Sequence, residues 1–138
     1  MKYMILTYAS QRDYDGMTGG SPDAPAWSPD DLMAMGAFMT AFTKELEDAG
    51  QLVETRALVA PAHTRRVQLQ DGLPLVTDGP YAETHEVLAG YWIVECASFD
   101  EATAIAARLA RCPAPPDVAA RAVADVRPLA DTMSDLDL

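Results

Sequence analysis

Between Ser28 and Gly50 the chain carries one long amphipathic helix, flanked by segments with strand character, and that alternation admits few folds. Ser28-Pro29-Asp30-Asp31 provides a hydroxyl N-cap, proline at the first helical position and acids where the helix dipole favours negative charge. Leu32, Met35, Met39, Phe42, Leu46 and Ala49 recur at steps of three and four, so one face is apolar and has to be buried. Gly50 supplies the stop. Upstream, residues 2–8 (KYMILTY) predict a buried first strand near the centre of a sheet. Residues 11–27 collect Gly16, Gly19, Gly20, Pro22 and Pro25 with little periodicity and read as a long loop, of the kind that is often functional or mobile.

Downstream, residues 51–58 and 64–70 read as strands, and Asp71-Gly72 is a hairpin signal before a further strand at 73–77, so a β-meander is expected. Asp78-Gly79-Pro80 interrupts it. Residues 87–96 (VLAGYWIVEC) form the most apolar strand, predicted to be central, with Gly90 a bulge or a point of close approach. Ser98 and Glu101 have the spacing of a capping box for a second helix, with Ala102, Ile105, Ala106 and Leu109 on one face and Pro113, Pro115 and Pro116 beyond its end. Residues 120–126 alternate and predict a half-exposed last strand. The order is βαββαβ, a ferredoxin-like α+β fold in one domain of residues 1–129, with an acidic, frayed tail at 130–138. Two helices can cover only one face of the antiparallel sheet. The other face calls for a second copy, and a homodimer joined through the sheets is expected.

Charge narrows the function. Ten Lys and Arg against 21 Asp and Glu leave a net charge of -11, a field that repels phosphate backbones and anionic lipid. Arg65-Arg66 is too small a basic cluster to reverse it, so neither nucleic acid nor a membrane surface is an expected partner. Two cysteines, Cys96 and Cys112, read as small buried hydrophobes; without a charged-then-apolar N-terminal segment, the cytoplasm is the expected compartment.

Thr77-Asp78-Gly79-Pro80-Tyr81-Ala82-Glu83-Thr84-His85-Glu86, followed by Leu88-Ala89-Gly90-Tyr91-Trp92, resembles the DGPF branch of the YCII-related family. Further likeness lies in Lys2-Tyr3-Met4, Gly50-x-Leu52, Asp100-Glu101-Ala102 and Val126-Arg127-Pro128. The resemblance implies a dimeric α/β-barrel type of ferredoxin-like fold and a small-molecule pocket near the motif. Tyr81 stands where the family usually has Phe. His85 stands where it usually has Lys, exchanging a fixed charge for a group that titrates near neutrality. For shorter relatives a His-Asp pair with an early histidine is proposed as catalytic, but this chain has no histidine before His63, so only Asp78 and its motif neighbours correspond.

The motif gathers an acid, an imidazole and a phenol. Asp78 and His85 are the candidate acid-base pair for a cofactor-independent lyase or isomerase acting on a small polar or aromatic substrate, with Tyr81, Glu83 and Tyr91 as candidate ligand-binding residues. Each has a plainer role. Asp78 can brace the Asp-Gly-Pro turn, Glu83 and Glu86 can be solvated acids, His85 and His63 can be surface imidazoles, and Tyr91 and Trp92 can pack in the core or against a second copy. No metal is expected from a set lacking H-x-x-x-H and C-x-x-C spacing, and no phosphate loop supports a nucleotide. The alternative to an enzyme is a non-catalytic binding or sensing module, of the sort that relatives with this motif are thought to provide beside transcriptional regulators. An accessory protein that merely dimerises through its sheet is the third reading.

Overall fold

The computed structural model describes residues 1–24 and 26–137; Pro25, within the segment read as a loop, and Leu138, in the acidic tail, lie outside the described residues. In chain order the elements are β1 (Lys2–Ala9), α1 (Gln11–Thr18), α2 (Pro29–Asp48), β2 (Leu52–Ala57), a 3-10 turn (Pro61–His63), β3 (Arg65–Gln70), β4 (Leu73–Asp78), β5 (Val87–Glu95), α3 (Phe99–Leu109), α4 (Pro116–Arg121) and β6 (Ala124–Pro128). A final 3-10 turn, Met133–Asp137, gives the tail more local order than a frayed end: the Asp135 carboxylate accepts from the Asp131 and Thr132 amides.

The first departure from the sequence reading is α1, which occupies much of the expected loop. Ser10 and Asp13 form a reciprocal capping box, with the Asp13 amide donating to Ser10 Oγ at 3.2 Å and the Ser10 amide to the Asp13 carboxylate at 2.9 Å. Gly19, at φ 72°, takes the left-handed conformation that ends the helix. Its sequence, QRDYDGMT, has no apolar stripe, so periodicity gave no sign of it.

Four strands form one antiparallel sheet in the order β2-β5-β1-β6, compatible with a ferredoxin-like fold. Register explains the core. Ile5 pairs with Trp92 on one side and Val126 on the other, and Tyr3 pairs with Val94. This face meets Phe42 and Leu46 of α2 and Ala102, Ile105, Ala106 and Leu109 of α3 in one buried cluster. The alternate residues Met4, Leu6, Tyr91 and Ile93 point the other way and are half-buried, outside the core cluster that the helices cover. The Ser28 N-cap forms as the sequence predicts, and Asp31 completes it as a capping box, whereas the capping box expected for α3 forms by half: Ser98 accepts from the Glu101 amide, but the Glu101 carboxylate takes the Ala97 amide and the Gln51 side chain.

Two further expectations are corrected. The meander breaks up, because β2 joins the main sheet beside β5 while β3 and β4 pair only with each other as a separate hairpin. Asp71 (φ 52°) and Gly72 (φ 79°) make its two-residue turn, and all twelve strand residues are exposed. The last strand begins later than expected, since Pro116 starts α4 and residues 116–121 coil before β6.

Candidate functional site

The motif residues leave β4 and run to β5 along one end of the molecule. Asp78 closes the hairpin against Arg65, Arg65 Nε donating to its carboxylate at 3.1 Å. Gly79, at φ 53°, donates its amide to Thr64 O at 2.8 Å, which cinches the hairpin base. Beyond this turn the Tyr81 ring sits under the Arg66 guanidinium at 5.2 Å and meets the His85 imidazole edge-on at 5.3 Å. Glu83 contributes its carbonyl, which accepts from the Arg12 amide at 2.9 Å, while its side chain is exposed. Tyr91 projects from the open face, its hydroxyl donating to Glu54 at 2.9 Å; that bond raises the phenol's pKa. The structure therefore brings Tyr81 and His85 together, commits Asp78 to Arg65, and sets Tyr91 among the open-face residues.

A second charged group lies next to the motif. Arg121, at the end of α4, donates to Asp13 of α1 at 3.0 Å and to Glu86 at 2.7 Å. Burial pushes the Asp13 carboxyl up, but its hydrogen bonds from Arg121 and Ser10 outweigh that and the net shift is downward. These residues line an open cleft of about 390 Å³ together with the polar residues Ser10, Arg12, Thr84 and Asp117. Because Asp13 is depressed in the folded state, the stabilisation it carries is present above the ordinary carboxylate range and is lost as pH falls through the folded value. Arg121→Gln is expected to cost about 1–2 kcal/mol at pH 7, reduced from a buried pair because Arg121 is 47% exposed. Urea unfolding at pH 7 and at pH 2 checks this: the gap between wild type and variant should close at the lower pH.

On the other flank of α1 is an apolar cavity of about 460 Å³. Tyr14 and Met17 of α1 and Met35 and Met39 of α2 roof it, and Thr7, Thr55, Gly90 and Trp92 of the sheet form its floor. Three of the wall hydroxyls are already engaged: Tyr14 donates to Leu58 O at 2.7 Å, Thr55 to Tyr91 O at 3.0 Å and Thr7 to Gly90 O at 3.2 Å, while Thr43 and the Arg56 side chain add polar groups at the margin. Gly90 is a place of close approach, since a Cβ there would stand 3.1 Å from Arg56 O, and the β1-β5 register slips next to it, between Thr7 and Tyr8. A smaller cavity of about 140 Å³, lined in part by Trp27, shares Thr7 and Met39 with this one.

The YCII-related domain is matched by residues 1–128, nearly the whole chain. The chain belongs to the YCII-related family. A similar protein is an uncharacterised one of Rhizobium meliloti (strain 1021), 34% identical over 77 residues, which are 56% of this chain and 62% of the relative, so the match spans under two thirds of that protein. In this YCII-related chain, the described residues hold no group of three or more His, Cys, Asp and Glu placed to bind a metal, and no helix long and apolar enough to cross a membrane. Burial pushes both cysteine thiols, Cys96 and Cys112, up.

Sequence reasoning missed the residues that line the two cavities from α1, namely Arg12, Asp13, Tyr14 and Met17. The available signal was Ser10-x-x-Asp13 followed by Gly19, a start and a stop with eight residues between them. Arg121 had no signal at all, because its partners lie 35 and 108 residues away in the chain.

Proposed function

We propose that this YCII-related protein binds a small, largely apolar molecule in the cavity between α1, α2 and the sheet, and acts as a binding or sensing module. The observation that carries the reading is the character of that cavity: about 460 Å³, walled by methionines, an indole and a phenol, with Thr7, Thr55 and Tyr14 donating to the backbone instead of into the space. Unbranched methionines repack around ligands of differing shape, which suits a sensor. With a net charge of -11, such a module would pass its ligand state to a protein partner, such as a transcriptional regulator, and not to DNA. The open sheet face supports a homodimer, its apolar centre of Met4, Leu6 and Ile93 being rimmed by Glu54, Arg56, Asp125 and Arg127.

A second reading, a lyase or isomerase using Asp78 and His85 as acid and base, draws on the Tyr81-His85 contact. It requires a carboxylate-imidazole contact that is not made among the described residues, the Asp78 side chain being exposed and turned to Arg65, and that makes it the weaker of the two.

The test uses 2-ethylnaphthalene as probe, with thermal shift and tryptophan fluorescence as readouts. Ala57, paired with Gly90 on the cavity side of β2, is the position to fill. Wild type should gain stability on binding and Ala57→Leu should bind at least tenfold more weakly, with its own melting point within a few degrees of wild type. Equal binding by both proteins would remove the cavity from consideration.

A further inference from the structure

The open cleft beside the motif contains opposite charges that are not spent on each other. Arg121 is paired with both Asp13 and Glu86, which balances its charge along one wall. Arg12 makes one hydrogen bond, from Nη2 to Asp23 O at 3.1 Å, and among the described residues it pairs with no carboxylate. Asp117, at the start of α4, likewise has no ion-pair partner among the described residues. Both line the same space of about 390 Å³, together with Thr84.

We propose that this cavity is a second binding site, separate from the apolar one, and that it takes a small zwitterion of the α-amino-acid type. A simple anion would gain Arg12 but face Asp117 and Glu86, and a simple cation would meet the reverse. A molecule carrying a carboxylate and an ammonium group satisfies both signs at once. The guanidinium fork of Arg12 suits a carboxylate, Asp117 suits an ammonium, and the Thr84 hydroxyl supplies a further polar contact. The volume admits an amino acid with its side chain, and the Asp13-Arg121-Glu86 wall keeps the site open before the ligand arrives.

Isothermal titration of the full chain with the twenty standard L-amino acids, and with acetate and methylammonium as single-charge fragments, tests this. At least one amino acid is expected to bind tenfold or more tightly than either fragment. Arg12→Gln and Asp117→Asn should each weaken that binding at least tenfold while leaving the melting temperature and the 2-ethylnaphthalene affinity unchanged. Binding of no amino acid, or amino-acid binding indifferent to both substitutions, overturns the proposal. The naphthalene titration separates that failure from a failure of the apolar site.

Discussion

Wild-type protein is expected to sediment as a dimer at micromolar concentration, and Ile93→Lys as a folded monomer. Ile93 lies at the middle of the uncovered sheet face, opposite Met4 on one neighbouring strand and Glu54 on the other. In an isolated chain its side chain points away from the core cluster, so a lysine there can reach water without disturbing Phe42, Leu46 or Trp92. Between two sheets the same lysine would be a buried charge whose desolvation the neighbouring Glu54, already holding the Tyr91 hydroxyl, offsets only in part, at a cost of several kcal/mol, enough to move a micromolar dimer beyond any working concentration. The rim sharpens the expectation. Glu54 and Arg56 on one edge strand, Asp125 and Arg127 on the other, offer both signs to a two-fold partner. Sedimentation velocity with far-UV circular dichroism decides it. A monomeric wild type would sink the dimer, and an unfolded variant would show that this face supports the fold of the single chain.

The second large effect concerns the core. Leu46 is fully buried where α2 crosses the sheet. Leu46→Ala should lower unfolding free energy by about 2–5 kcal/mol, through lost burial and the cavity left behind. Set against a total of roughly 5–15 kcal/mol for a domain, that is a large fraction. Met33, on the outer surface of the same helix and 73% exposed, serves as control: Met33→Ala should stay within about 0.5 kcal/mol. Urea titrations of the three proteins compare the midpoints. A Leu46→Ala protein as stable as Met33→Ala would contradict the packing of α2 on the sheet.

Most of this fold is legible where local chemistry and tertiary packing agree. The α2 start, its apolar face, the strand character of 2–8 and 87–96 and the Asp71-Gly72 turn each follow from residues near in sequence, and each appears in the structure. Where the reading fails, the information is distant or diluted. α1 is mostly polar, without an apolar stripe, and is positioned by partners elsewhere: Arg12 by Glu83, Tyr14 by Leu58, Asp13 by Arg121. The meander was the natural reading of consecutive strands, yet β2 finds β5 across the whole hairpin. The candidate site is legible only in part. Tyr81 and His85 do meet, but the sequence spacing that places Asp78 near them carries no hint that Arg65 lies directly across the hairpin and takes its carboxylate.

That hairpin has a consequence for how the chain can vary. Thr64 and Gly79 stand one backbone hydrogen bond apart at its base, so the main chain enters and leaves the hairpin at nearly the same point. Strand length on β3 and β4 can therefore grow, shrink or vanish without moving β2 or β5, whose pairing is complete on its own. The hairpin is an appendage whose size evolution can change while the βαββαβ unit beneath it keeps its register.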